Sequence, residues 1–339
     1  AALDVRALAR GGAEGDRPVL TVELVHGLGN QLFQVAALLS LALDRRPAFA
    51  VALPEVVGRA GGRNRTYWHT ALRGVAPLLR PPGAGPQEDP GCVLEQAPHF
   101  DPFGRSCQAA GALRRGWSDG LGRLAAACRT ITLRGLFQRG AFFASRLPEI
   151  RGLLWDEGTA AAARRELGAL GRPGGGLSVS LHYRLGDYGP NGWVLDQSYY
   201  DDALQAVRRR LPGRRLVCLV FSDEPERAWR RSEALDGCDE RVLVPGAVAD
   251  DVSLYMMSLT EASVLADSTF SYFSAVLARG GKRMVVAPRV QGPRAACWAY
   301  LSEGLAAAGV GNRSFEWLAL PATTLSEGAL LADEVLEAS

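Results

Sequence analysis

Lysine is almost missing from this chain: Lys282 stands alone, and arginine supplies nearly all the positive charge. With 38 basic against 36 acidic residues the formal net charge is +2, too small a field to gather nucleic acid or an anionic membrane surface. No run of about 18 apolar residues occurs, so no stretch of the sequence reads as a membrane span. The six cysteines, Cys92, Cys107, Cys128, Cys218, Cys238 and Cys297, contain no Cys-x-x-Cys pair, which excludes the usual zinc spacing. Their even number fits disulfides and buried free thiols about equally. No Asp-x-Asp pair stands at a strand end, where a metal-held diphosphate needs one; Asp201 and Asp202 fall inside an expected helix and read as a solvated face. The loop His26–Gln31 lacks the third glycine of G-x-G-x-x-G, and no acidic residue closes the second strand near Leu53, so a dinucleotide-dependent dehydrogenase is excluded. Internal repeats are absent.

What is present is an ordinary globular composition. A hydrophobic fraction of 47% over 339 residues supports a core of two domains or one large one. Residues 1–17 are rich in glycine and charge and are expected to be disordered. Strands are expected at Val19–Val25 and Ala48–Leu53, with a helix from Leu32 to Asp44 between them. Further on, Thr130–Leu136 reads as a strand and Glu157–Leu170 as a helix. The glycine-rich Gly171–Gly176 then breaks the pattern and marks the boundary between a domain over 18–172 and a second over 173–339. In the second half, strands at Leu177–Leu181, Leu216–Phe221, Val242–Val244, Ala262–Leu265 and finally Arg283–Ala287 alternate with helices at Ser198–Leu211, Asp250–Leu259 and Ser271–Arg279. Such alternation predicts an α/β fold with parallel sheets.

Polar residues cluster after the strands. His182, Arg184 and Asp187 follow Leu177–Leu181, Asp223 follows Leu216–Phe221, and Ser268, Thr269 and Phe270 follow Ala262–Leu265. Ligands of open parallel sheets bind at these carboxyl ends. Arg184 offers a planar fork of donors suited to phosphate, and the amides opening the helix after Ser268 favour an anion. Asp223 can accept from a guanine edge, and His182 can bond a base or a phosphate. Together they suit a nucleotide diphosphate held by arginine rather than by a metal. Plainer roles also fit single residues: Asp223 as the cap of a helix opening at Glu224-Pro225, Ser268-Thr269 as a cap, Asn30 as a turn residue of unusual backbone angles, and His69 and His99 as structural. Two glycosylation sequons, Asn64-Arg65-Thr66 and Asn312-Arg313-Ser314, lend slight support to a secretory location.

His26-Gly27-Leu28-Gly29-Asn30-Gln31-Leu32-Phe33-Gln34-Val35-Ala36 resembles the first motif of the α-1,2-fucosyltransferase family. His182-Tyr183-Arg184-Leu185-Gly186-Asp187-Tyr188 resembles its His-x-Arg-Arg-Gly-Asp-Tyr hallmark, with Leu185 where relatives carry a second arginine. Phe221-Ser222-Asp223, Asp250–Ser258 and Ala266–Phe273 resemble three weaker motifs, all in family order. The resemblance implies a GT-B architecture of two facing Rossmann-like domains and inverting, metal-free transfer with no cofactor. The donor is GDP-fucose, bound by the second domain, and the acceptor a galactoside glycan taken at its 2-hydroxyl. Arg184 is the residue it places on the β-phosphate; His182, Asp223, Ser268, Thr269 and Phe270 join it around the donor, and Gly29 and Asn30 come from the first domain. Asp187 is either a general base or a brace for its loop. Transfer to another linkage and a catalytically inactive sugar-binding homologue are the alternatives. The location implied is the Golgi lumen, behind a membrane anchor outside this chain, with a bacterial cytoplasm as the alternative.

Overall fold

The structure, a computed structural model, describes residues 5–9, 17–45, 49–55, 65–80, 92–95, 120–138, 140–171, 176–279, 284–290 and 316–325. The chain divides into two units, the first ending at Thr159 and the second starting at Ala160. The division falls inside the helix Glu157–Ala169, ahead of the glycine stretch where the sequence places the boundary. The start of that helix is anchored backwards: Asp156 Oδ2 accepts from the amide and the hydroxyl of Thr159, and Asp156 pairs with Arg73 at 3.4 Å. Within the segment expected to be disordered, Arg6–Ala9 form one helical turn with Leu8 buried.

In the first unit β1 (Val19–Val22), β2 (Ala50–Val51), β5 (Val93–Glu95) and β6 (Thr130–Arg134) make a parallel sheet in the order β2-β1-β6-β5. The short β3 (Leu53–Pro54) and β4 (Leu79–Arg80) pair separately. The helix after β1 runs over Leu28–Asp44, four residues longer at its start than the sequence reading gives it. The turn is made instead by His26, with φ of 67°, so Asn30 is helical and not a turn residue. Gln31 explains this: its Nε2 donates to the carbonyls of His26 and Arg65, stitching the turn onto the helix. From Leu28 to Ser40 every residue except Asn30 is buried, as expected of a helix apolar on all sides and seated in a core.

In the second unit β7 (Leu177–Tyr183), β8 (Leu216–Ser222), β9 (Glu240–Leu243), β10 (Ala262–Val264), β11 (Met284–Val290) and β12 (Glu316–Ala322) form an all-parallel sheet in the order β12-β11-β10-β7-β8-β9. Counted from its own first strand this is 3-2-1-4-5-6 read backwards, the doubly wound Rossmann order. β7 and β8 are buried along nearly their whole length, as strands covered on both faces must be. The sequence reading ends this sheet at Arg283–Ala287; the structure adds β12, an edge strand that tolerates Pro321 and is for that reason hard to see as a strand.

Disulfides join Cys92 to Cys128 and Cys218 to Cys238, each with Cα atoms 5.9 Å apart. Free thiols are thereby ruled out for these four; Cys107 and Cys297, like His99, Asn64 and Asn312, lie outside the described residues. No described helix is long and apolar enough to cross a membrane. Two units, each built on a parallel sheet, make up the α/β class expected from the alternating strands and helices.

Candidate active site

The strand order of the second unit reverses between β7 and β10. Connections leave those two strands in opposite directions, which opens a crevice at their carboxyl ends. β7 delivers His182 and then Arg184 to this point, β10 delivers the loop Leu265–Ser268, and β8 brings Asp223 alongside.

Arg184 is held from two sides. Its Nη1 lies 3.0 Å from Asp223 Oδ2 and its Nη2 2.6 Å from Asp187 Oδ1. Only 18% of the Arg184 and Asp223 side chains is exposed, against 59% for Asp187, so the pair with Asp187 is the open one. Asp223 Oδ1 accepts from the Leu185 amide at 3.0 Å. The carboxylate therefore holds the loop and the arginine together. It does not cap the following helix, Pro225–Glu233, which has no side-chain cap. Leu185 itself points into the hydrophobic core with no exposed surface. A Cβ on Gly186 would come within 2.8 Å of Asp223 Oδ2, so the glycine is what lets this loop close on the carboxylate. The Arg184 guanidinium carbon also stands 5.4 Å from the ring centre of Tyr188.

His182 is buried. Burial, first of all, lowers its pKa to about 4; Arg184 pushes the same way and Asp223 opposes. The imidazole is therefore neutral at neutral pH. Its Nδ1 is enclosed and meets no hydrogen-bond partner. Its ring lies 5.6 Å from that of Phe270. Phe270 sits in the first turn of the helix Thr269–Leu277, where Ser268 Oγ accepts from its amide at 3.3 Å, the capping role open to Ser268 from the sequence. Phe270 is the one residue of this helix that is not buried. His182, Arg184, Asp187, Asp223, Ser268, Thr269 and Phe270 thus belong to one neighbourhood of the second unit.

Gly29 and Asn30 belong to the first unit, in the helix that follows β1, whose parallel neighbour in the sheet is β6, so that the carboxyl ends of these two strands lie side by side. Asn30 Oδ1 accepts from Gln138 Nε2 at 2.6 Å. Gln34 spans the same two strand ends: its Oε1 accepts from the Val25 amide and its Nε2 donates to the Gly135 carbonyl. Phe137, just before Gln138, has φ of 52°, a costly conformation for a bulky residue and one that concentrates at functional sites. Sequence reading missed Gln138. The rule that found Asp223, a polar residue just past a parallel strand, points to it as well. Among the described residues no three His, Cys, Asp or Glu side chains gather as a metal site.

No protein-family model matches the chain. Over 118 residues it is 30% identical to an alpha-1,2-colitosyltransferase of Escherichia coli, a match that takes in 33% of this chain and 40% of the relative. The chain therefore spans well under half the length of the curated relative it matches. Among solved structures it is similar to a variant of Arabidopsis thaliana FUT1 in complex with GDP (TM-score 0.46, 12% identity, 81% of this chain and 72% of that one). It is also similar to POFUT1 in complex with GDP (0.47, 12%, 80% and 98%) and to the E. coli ADP-heptose LPS heptosyltransferase II (0.45, 12%, 94% and 98%). Five motifs thus resemble, in order, those of the α-1,2-fucosyltransferase family, and one stretch of the chain is similar to an α-1,2-glycosyltransferase.

Proposed function

We propose that this protein is an inverting glycosyltransferase that moves L-fucose from GDP-fucose to the 2-hydroxyl of a galactoside. The observation that carries the reading is the placement of Arg184 after β7 and of the capped start of Thr269–Leu277 after β10, the two neighbouring strands that flank the switch point of a Rossmann-ordered sheet. Both elements favour an anion. Neutral His182 adds an unpartnered ring nitrogen beside them, and Phe270 an aromatic face. On donor binding the β-phosphate takes the place of the exposed Asp187 on Arg184, while the more enclosed Asp223 keeps its hold. Asp223 supports the site through Arg184 in this reading, and any contact it makes to the guanine edge comes in addition.

The acceptor oxygen attacks the anomeric carbon from the face opposite GDP. The bond from that carbon to the β-phosphate oxygen breaks, and its electron pair passes to the phosphate, where Arg184 and the helix amides stabilise it. The acceptor proton leaves to water or to Asp187. Gly29 and Asn30 carry the role of the first unit that the family resemblance implies. Because arginine and amides neutralise the leaving group, no metal is required, and the two disulfides favour an oxidising lumen of the Golgi kind over a bacterial cytoplasm.

The test is incubation with GDP-fucose and a panel of galactosides in excess EDTA, followed by linkage analysis. A 2-linked fucosyl product is expected. No transfer to any acceptor, together with no rise in melting temperature on adding GDP, would refute it. The curated relative favours one second reading, in which colitose is the sugar moved; GDP-colitose in the same assay decides between them.

A further inference from the structure

We propose that Tyr188 is a positioning residue that ties the guanidinium of Arg184 to the entrance of the helix Thr269–Leu277, so that both anion-binding elements close on one phosphate as a unit. The inference rests on the donor-binding reading above. Tyr188 makes one contact in each direction from a single rigid ring. Its face lies 5.4 Å from the Arg184 guanidinium carbon, and its hydroxyl donates to the Asp267 carbonyl at 2.9 Å. Asp267 immediately precedes the helix cap Ser268, so this bond runs from the loop after β7 to the loop after β10, across the switch point. Trp193 packs edge-on against the same ring, with centres 5.4 Å apart, and fixes its tilt. Burial holds the phenol well above its ordinary range, so it remains a donor throughout the pH range in which the protein works.

The contact matters because Arg184 otherwise depends on two carboxylates, and one of these, Asp187, is the partner that an incoming phosphate displaces. A ring lying beneath the guanidinium competes for no N–H group. It holds the fork in place while that exchange happens, and through Asp267 it keeps the helix start in register with the fork.

The experiment is titration calorimetry of wild type, Tyr188→Phe and Tyr188→Leu with GDP and with GMP, beside thermal melts. GDP carries the β-phosphate and GMP lacks it, so the ratio of the two affinities reads the paired phosphate site while the guanosine end cancels. Tyr188→Phe keeps the ring and loses the hydrogen bond. It should lower GDP affinity about three- to tenfold and leave GMP within about twofold of wild type. Tyr188→Leu also removes the ring beneath Arg184 and should lower GDP affinity by about tenfold or more. GDP affinity unchanged in Tyr188→Phe overturns the proposal. So does a loss shared equally by GDP and GMP, which would mean general loosening. If the leucine variant does not fold, the phenylalanine variant decides alone. A wild-type protein that binds neither nucleotide refutes the donor reading and this inference with it, and that result appears before any substitution is made.

Discussion

Arg184 departs from an ordinary surface arginine in having its fork already aimed and largely enclosed, with a carboxylate on each arm. Replacing it with alanine should lower kcat by about 10²–10³, the usual loss for one preorganised donor to a developing negative charge. Lysine should restore only part of that, being a point charge without the fork. A folded Arg184→Ala protein with wild-type turnover would remove the centre of the proposed mechanism. The neighbouring Leu185 stands where the motif it resembles carries a second arginine. Its side chain lies in the apolar core, and only its amide serves the site. Leu185→Arg should therefore cost several kcal/mol of stability, roughly what burying an unpaired charge costs, without tightening GDP. Gly186→Ala has the opposite signature. Its Cβ must push Asp223 aside, so kcat/KM should fall about ten- to a hundredfold while the melting temperature stays near wild type. His182 titrates near about 4 in the folded protein and near about 6.5 when unfolded. The unfolded chain binds the extra proton between those values, so this group's contribution to stability is complete above about pH 6.5. It is lost as pH falls toward about 4, and is flat below. Denaturant unfolding at several pH values should show a shallower acid loss for His182→Gln than for wild type; equal slopes would mean that the buried imidazole does not act this way.

The same device recurs at the scale of elements. In each unit a helix buried on nearly every side follows an inner strand of the parallel sheet, β1 in the first and β10 in the second, and shows one partly exposed residue in its first turn: Asn30 in the first, Phe270 in the second. Burial fixes the helix, and the fixed helix aims that residue. In the first unit the aim depends on Gln34, whose amide bonds the loops after both β1 and β6. Gln34→Leu keeps much of the volume and leaves an orphaned amide and an orphaned carbonyl. It should lower the free energy of unfolding by about 2–4 kcal/mol, and an unchanged urea midpoint would show that water satisfies both groups. These elements also mark how far the sequence could be read. Leu177–Leu181 and Leu216–Phe221 were legible as strands because a sheet covered on both faces demands continuous apolar runs. The start of the Leu28–Asp44 helix was not, since Gly27 and Gly29 read locally as loop and only the long-range bond from Gln31 to Arg65 shows why the chain turns earlier. β12 was missed because an edge strand need not look like one. Of the site, the motif residues were legible as a set. Which carboxylate meets which arm of Arg184, the pairing of Gln138 with Asn30, and the reach of Tyr188 to Asp267 are contacts between distant segments that no local pattern encodes.

At the scale of the whole molecule, the arginine-rich run from Arg208 to Arg215 is not a free anion-binding patch. Arg208 pairs with Asp239 at 2.9 Å, Arg210 with Glu316 at 2.7 Å and Arg215 with Glu240 at 2.5 Å, which agrees with the near-zero net charge. What remains as a global constraint is covalent. The Cys218–Cys238 bond closes a span of 20 residues in the second unit, and Cys92–Cys128 one of 36 in the first. Each limits the unfolded chain and should contribute about 2–4 kcal/mol. Cys218 lies near the start of β8, five residues before Asp223 and so roughly 16 Å from it along the strand. Stability and donor binding should therefore separate. The double variant Cys218→Ala, Cys238→Ala should unfold at a clearly lower denaturant concentration than wild type and bind GDP with nearly the same affinity. Wild type in reducing buffer should shift further, because the bond in the first unit opens as well. A double variant as stable as wild type would mean that this crosslink constrains nothing the unfolded chain explores, and a loss of GDP binding at unchanged stability would place the crosslink in the site rather than in the scaffold.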